Sequence, residues 1–293
     1  MSYPKLLRRY FPGFRKPDRE STPLAPHTHW YRRRWRGRKG DVQVLDRVMV
    51  LRQSQESKTR VETTVQEKKM LKKGVQTIEK KGLHYIVESG NTVKRFKPWL
   101  GDAFSIFYDV IMERSIFPKK LSADMGTHYE ILSKTLKDIH SKRVLELATG
   151  SGSAVIFLDK DNHYTGTDIS PGLLRKAVKR FRAAGFEGAE FYITVGDDLP
   201  FDDGTFSICL CILSLNFFND IKRAFREIKR VLVPGGVFVC AVPVPERKSL
   251  KSKIRGTLYS EDELAEICTE QGFTFERIPE DNGSILYFKA FLE

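Results

Sequence analysis

The stretch Arg143-Val144-Leu145-Glu146-Leu147-Ala148-Thr149-Gly150-Ser151-Gly152 constrains the fold more than any other part of this 293-residue chain. A short apolar run turns sharply through two glycines, and Ser153 to Leu158 can begin a helix. Strand, glycine loop and helix in that order open a doubly wound α/β fold, whose ligands lie beyond the carboxyl ends of the strands. Two glycines alone are a weak signal, because strand-to-helix turns need them for steric reasons. Glu146 adds information. A loop that cradles a pyrophosphate offers bare N–H groups and a helix dipole, and a carboxylate beside it repels such a ligand. The third glycine of the dinucleotide pattern is absent too, with Val155 in its place. The loop is therefore expected to take a phosphate-free ligand that carries positive charge.

Downstream residues repeat the same unit. Met125, Tyr129, Leu132, Leu136 and Ile139 fall at helical spacing and predict a helix leading into the strand at 143. A second strand is predicted at His163–Asp168, then a helix capped by Ser170, opened by Pro171 and stopped by Gly185. Two more strands are predicted at Glu190–Val195 and, as a buried non-alternating run, at Phe206–Leu213. Ile221, Ala224, Phe225, Ile228 and Leu232 make an amphipathic helix, and Pro234-Gly235-Gly236 turns into a fifth strand, Val237–Val242. Ser260 and Glu263 form a capping box for a helix that Gly272 ends. Phe273–Ile278 and Ile285–Leu292, joined by Asp281-Asn282-Gly283, read as a β-hairpin. The expected fold is α/β, a doubly wound seven-stranded Rossmann-like sheet with its last strand antiparallel.

Five motifs then occur in order: Tyr108-Asp109 ahead of the first strand; Glu146 to Gly152; Thr165-Gly166-Thr167-Asp168-Ile169-Ser170; Asp197-Asp198-Leu199-Pro200-Phe201 with its continuation to Phe206; and Glu227 to Gly236. With these in register, residues 104–293 resemble the class I S-adenosylmethionine-dependent methyltransferases and are most similar to the ubiquinone/menaquinone-biosynthesis type. Ala148 departs from the pattern by replacing the first loop glycine. The loop before Leu199 is shortened, and Ile212 stands where relatives often carry a small polar residue. The resemblance does not reach residues 1–90.

It implies S-adenosyl-L-methionine as cofactor and a set of roles for residues. Asp168 ends a strand at the ligand-binding edge and would accept both ribose hydroxyls, with Ile169 beside it. Asp197 or Asp198, ahead of Leu199, would accept from the adenine amino group. Gly150 and Gly152 would let the backbone approach the methionine moiety, with Ala148 in the loop and Ser151 as a polar contributor. Glu146 either orients the loop and meets the ligand's ammonium group or is a structural cap of the loop. Methyl transfer from a sulfonium needs alignment above all, and a general base only for certain acceptors. Tyr108, Asn216 and Tyr259 are the candidates near the acceptor, which would be a small molecule, aromatic or quinone-like. No metal site is expected, His27 and His29 being a poor pair without further ligands.

Charge separates the chain into regions. Residues 1–100 hold 25 Lys+Arg against 9 Asp+Glu, a net +16, whereas residues 101–293 hold 25 against 28, a net −3. Residues 1–40 are read as a basic, irregular extension, residues 41–90 as a small lobe or linker, and residues 91–293 as the catalytic domain. The run Trp30-Tyr31-Arg32-Arg33-Arg34-Trp35-Arg36-Gly37-Arg38-Lys39 mixes guanidinium groups with aromatic faces, a pairing suited to RNA or another anionic surface. An RNA-associated methyltransferase, or an RNA-binding module, is the competing reading. Against base methylation, Leu213-Ser214-Leu215-Asn216-Phe217 lacks the Asn/Asp-Pro-Pro-aromatic set that grips an exocyclic amine. The four cysteines have neither metal nor disulfide spacing, which points to a reducing, cytoplasmic setting. Residues 1–17 are basic with clustered apolar side chains, so a mitochondrial address is the alternative for a nuclear-encoded chain. No apolar run is long enough to span a membrane. Between the fifth strand and the next helix, residues 246–255 form a basic flap. Deleting residues 1–40 is expected to leave adenosylmethionine affinity unchanged by calorimetric titration; loss of binding would place the extension inside the site.

Overall fold

The computed structural model describes residues 70–88, 92–96, 107–247 and 254–293. The chain divides into two units, residues 1–70 and 71–293, and the elements below belong to the second. The Arg/Trp run at 30–39, the proposed extension and most of the flap lie outside the described residues.

A nine-stranded sheet organises the second unit. Its strands are β1 (Thr77–Lys80), β2 (Leu83–Ile86), β3 (Arg143–Leu147), β4 (His163–Asp168), β5 (Glu190–Ile193), β6 (Phe206–Ile212), β7 (Leu232–Pro243), β8 (Phe273–Arg277) and β9 (Ile285–Leu292), in the order β1-β2-β5-β4-β3-β6-β7-β9-β8. From β2 to β7 the strands are parallel, while β1 and the β8–β9 pair at the two edges run antiparallel to their neighbours. Seven strands follow the expected plan. The extra two form the β1–β2 hairpin at 77–86, inside the stretch read as a separate lobe. It joins the main sheet because β2 pairs with β5 and stacks His84 on Tyr192, their ring centroids 4.6 Å apart. The sheet thus begins before residue 91.

Five α-helices accompany the sheet among the described residues: α1 (Tyr108–Ile111), α2 (Met125–Thr135), α3 (Pro171–Ala184), α4 (Ile221–Val231) and α5 (Glu261–Glu270). A ten-residue π-helical stretch, Met112–Leu121, continues α1. Helix α3 begins where Ser170 Oγ accepts from the Leu173 amide and ends at Gly185 in the left-handed region, φ +83°. Its buried face, Leu173, Leu174, Ala177 and Phe181, rests on β2, β4 and β5. Strand order reverses at β3, so right-handed crossovers send α3 and α4 to opposite faces. Val144 to Leu147 are consequently buried on both sides.

One local expectation fails for a steric reason. After Gly152 there is one turn of 3₁₀-helix, Ser153–Ile156, instead of a full helix, because the turn Asp159-Lys160-Asp161-Asn162 must return the chain to β4 within a few residues. The β8–β9 hairpin forms as expected, with a turn over Asn282-Gly283-Ser284-Ile285 in which the Ile285 amide donates to the Asn282 carbonyl at 3.2 Å. Asn282 Oδ1 accepts from the Asp124 amide at 2.8 Å, its Nδ2 donates to the Asp124 carbonyl at 2.9 Å, and the loop is drawn onto the start of α2. Gly283, φ +61°, has no room for a side chain: a Cβ would lie 2.3 Å from the Leu121 carbonyl oxygen. Gly283→Ala combines left-handed strain with a backbone clash and is expected to cost roughly 2–4 kcal/mol, read as a lower urea midpoint. An unchanged midpoint would show that the loop is not docked in this way.

Candidate active site

At the reversal of strand order, with β4 on one side of β3 and β6 on the other, the loops at the carboxyl edge diverge and leave a crevice. The cleft there has a volume of about 450 Å³. Ala148 and Gly150 form one wall, Asp168 and Ile169 the next, and Thr194 to Asp197 follow from the end of β5. Leu213, Ser214, Phe217 and Phe218 come from the end of β6, and Tyr108 and Phe96 enter from outside the sheet.

Asp168 joins two of these walls. Its Oδ2 accepts from the Gly150 amide and its Oδ1 from the Ser170 amide, both at 2.8 Å. A carboxylate has about four acceptor directions, so two amides fix its plane and leave capacity for hydroxyl donors. The tight turn of the glycine loop is what brings the Gly150 amide here. Ala148 and Leu213 both adopt left-handed φ, +51° and +58°, at the ends of neighbouring strands and on the cleft wall. Such strain in non-glycine residues gathers at binding sites, where surrounding structure over-determines the backbone.

The other loop residues point elsewhere. Ser151 turns away from the cleft, its Oγ donating to Asp109 Oδ1 at 2.6 Å. Gly152, φ +82°, serves packing: a Cβ would sit 2.8 Å from the Ala177 Cα, so glycine is required for α3 to approach. Glu146 is buried, and its Oε2 accepts from the Tyr164 hydroxyl. Its backbone carbonyl accepts from Thr149 Oγ1 at 3.2 Å and Thr167 Oγ1 at 3.1 Å. Burial pushes the Glu146 carboxyl from 4.5 up to about 8; hydrogen bonds from Tyr164 and Thr149 oppose that rise and the Asp168 charge adds to it. Of the two roles open in the sequence, the geometry supports the structural cap and not the partner of an ammonium group.

The acid pair separates as well. Asp197 lines the cleft, whereas Asp198 forms an ion pair with Lys94 at 2.9 Å. The turn that divides them is held by Thr194 Oγ1 donating to the Asp198 carbonyl at 3.0 Å. Gly196 lets this turn lie against Phe218, since a Cβ would come within 2.0 Å of that ring. Leu199 is fully buried and does not line the cleft; its amide donates to Glu227 Oε2 at 2.8 Å. Arg230 grips both Glu227 oxygens and the Phe201 carbonyl, so the Glu227-to-Gly236 signature stabilises the loop beneath the acid pair.

Among the acceptor-side candidates only Tyr108 reaches the cleft. Burial, then the charges of Asp168, Asp109 and Glu146, hold its hydroxyl well above the usual range, so it stays protonated. Asn216 is buried with its Nδ2 donating to the Arg255 carbonyl at 2.7 Å, which pins the segment after the flap. Tyr259 is half-buried and is not among the lining residues. Sequence reasoning missed Phe96, Thr194, Leu213, Phe217 and Phe218. Thr194 and Leu213 fell at the ends of predicted strands and Phe217 and Phe218 just beyond one, while Phe96 carried no signal.

The donor set discriminates between ligands. Among the described lining residues none is basic, and the acids are Asp168 and Asp197. A pyrophosphate would meet two carboxylates, a loop amide already donated to Asp168 and a single 3₁₀ turn in place of a helix N-terminus. The set fits a positively charged, phosphate-free nucleoside such as S-adenosylmethionine.

Comparison with known proteins agrees. Residues 145–240 match the family described as methyltransferase domain. A phthiotriol/phenolphthiotriol dimycocerosates methyltransferase of Mycobacterium tuberculosis is 33% identical over 107 residues, 36% of this chain and 38% of the relative. A demethylmenaquinone methyltransferase of Chlorobaculum tepidum is 26% identical over 151 residues, 50% of this chain and 60% of the relative. The chain thus spans less than two thirds of the length of the curated relatives it matches. The YcgJ protein of Bacillus subtilis shares the fold, with a TM-score of 0.50 at 16% identity over 57% of this chain and 99% of that one.

The buried Glu146 carboxyl makes stability depend on pH. Its folded value lies above the unfolded one, so its contribution is complete below about pH 4.5 and is lost as pH rises through about 8. Glu146→Gln stays neutral. Between pH 5 and 8.5 its unfolding free energy should gain on the wild type by roughly 2 kcal/mol or more, from urea titrations at both values. Parallel pH profiles would mean that Glu146 is ionised in the fold.

Proposed function

The chain contains a class I S-adenosylmethionine-dependent methyltransferase domain, and from this premise we propose that it transfers a methyl group to a small aromatic acceptor that ionises on its own. The observation that carries the proposal is the make-up of the cleft: two carboxylates, Asp168 and Asp197, with Phe96, Phe217 and Phe218, and no His, Lys or Cys among the described lining residues.

When bound, S-adenosylmethionine supplies an activated methyl on its sulfonium. The residues of this chain bind and align. Asp168, its plane set by the Gly150 and Ser170 amides, accepts from the ribose hydroxyls, each such charge-assisted bond being worth about 1.5–3 kcal/mol. Asp197 accepts from the adenine amino group, and Ile169 packs beside the base. Gly150, lacking a Cβ, admits the amino-acid moiety under the Tyr108 ring, whose hydroxyl would sit 3.7 Å from a Cβ placed on that glycine. Alignment of this kind can supply about 7–11 kcal/mol of the barrier in favourable cases.

The acceptor's proton is the remaining question. Tyr108 holds its own proton and the lining offers no neutral base, so the nucleophile must arise from the acceptor's acidity. A phenol or quinol meets that requirement, and its ring fits the phenylalanine wall. The relative named for demethylmenaquinone supports the same class.

Calorimetric titration should show adenosylmethionine binding and no NAD binding, with Asp168→Ala at least tenfold weaker and unchanged in far-UV circular dichroism. Transfer of labelled methyl to naphthoquinols of differing acidity should follow the ionisation of the quinol. NAD in the cleft, or a rate governed by one fixed enzyme pKa across the series, would overturn the reading.

A further inference from the structure

We infer that Asp109 is a positioning residue: it latches Tyr108 onto the glycine loop and so sets affinity for the nucleoside without touching it. The inference rests on the cofactor reading above and adds a residue to it.

Helix α1 has no buried residue, and Phe107, Val110 and Ile111 are exposed. Burial of apolar surface therefore does little to hold this element over the cleft, although Tyr108 forms part of the wall. What ties its first turn to the glycine loop is a polar junction at the next residue, Asp109. Asp109 Oδ1 accepts from Ser151 Oγ at 2.6 Å, and Oδ2 accepts from Arg180 Nη2 at 2.5 Å and Lys176 Nζ at 3.1 Å. Arg180 Nη1 completes the junction by donating to the Ser151 carbonyl at 3.0 Å and to Ser151 Oγ at 2.9 Å. One carboxylate and one guanidinium thus tie together α1, the glycine loop and α3.

The three parts differ in rigidity. Helix α3 is capped at both ends and packed on three strands, and the glycine loop is held by Asp168. Helix α1 runs on into Met112–Leu121, whose Phe117 and Leu121 are buried, so that end is anchored and the latch holds the end that carries Tyr108. The side chains of Asp109 and Arg180 are 20% and 14% exposed, so removing one partner leaves the other charge uncompensated and largely withdrawn from water, which costs more than losing a surface ion pair. Burial alone would raise the Asp109 carboxyl, but the Arg180 charge, the bonds from Ser151 and Arg180, and Lys176 outweigh it and hold it below its ordinary range. The junction is therefore charged at neutral pH.

A double-mutant cycle on the full chain, with S-adenosylhomocysteine affinity read by calorimetry, tests this. Asp109→Ala and Tyr108→Ala should each weaken binding at least tenfold, and the double variant should be no more than about twofold weaker than either alone, because Asp109 acts through Tyr108. Additive losses would overturn the proposal. Asp109→Asn, which keeps a Ser151 acceptor but loses the charge, should fall between wild type and Asp109→Ala; affinity equal to the wild type in all Asp109 variants would also overturn it. Amide exchange gives a second readout. In Asp109→Ala, residues 108–112 should exchange at least tenfold faster while β3 is unchanged; unaltered exchange removes the latch. Should the wild type not bind S-adenosylhomocysteine, the cofactor reading falls, and amide exchange alone decides whether the latch exists.

Discussion

The carboxylate of Asp168 is the constraint on which the rest of the site depends. It takes the Gly150 amide with one oxygen and the Ser170 amide with the other. In one residue the end of β4 is joined to the loop after β3 and to the N-terminus of α3. A glycine loop without such a partner would present several bare amides to the crevice. Here an amide that could have met a phosphate is spent inside the protein, and negative charge takes its place. The short 3₁₀ turn after Gly152 acts in the same direction, since there is no long helix whose dipole could favour an anion.

Beneath the loop lies a second polar layer that is structural. Glu146, Tyr164 and Thr149 form a buried node in which Thr149 Oγ1 lies 3.1 Å from the Tyr164 hydroxyl. The Tyr164 ring also stacks on Phe181 of α3, with centroids 4.0 Å apart. Movement of α3 would therefore disturb the node, and the node sets the height of the loop. A neutral Glu146 tolerates this position far better than an ionised one, because a buried charge without a counter-charge is expensive. The left-handed Leu213 is held by a separate contact, its amide donating to the Ala241 carbonyl at 2.7 Å in the neighbouring strand β7.

The sequence made the strands and helices of the sheet legible because their determinants are local. Ser170, Pro171 and Gly185 bound α3, the Ser260–Glu263 box opens α5, and continuous apolar runs mark the buried strands. The misreadings have tertiary causes. Nothing around residues 77–86 reveals that β2 will pair with β5, a partner more than a hundred residues away. The turn at Asn282-Gly283 was legible, but its docking on Asp124, more than 150 residues earlier, was not. Strand Leu232–Pro243 runs straight through Pro234-Gly235-Gly236 and absorbs it as an irregularity opposite Phe206–Ile208. Within the site, Asp168, Ala148, Gly150 and Ile169 were legible from their place at strand ends. Which of two adjacent aspartates faces the cleft was not, because a distant lysine, Lys94, decides it. Ser151 was misassigned for a similar reason, its partner Asp109 being 42 residues earlier in the chain.

The arrangement of charge also bears on which chemistry the cleft can support. Two carboxylates without a lining cation favour a positively charged ligand on entry. A methyl donor that loses its charge on reaction would then be held less tightly as product. The phenylalanines of the lining offer no proton acceptor, and Tyr108 is kept neutral first by burial and then by charges that include Asp168, one of the two cleft acids. Ligand and tyrosine are thus coupled through electrostatics: the field that favours a sulfonium disfavours any tyrosinate. The proposed acceptor follows from this balance: one that arrives ionised and is drawn toward a bound cation needs position more than activation.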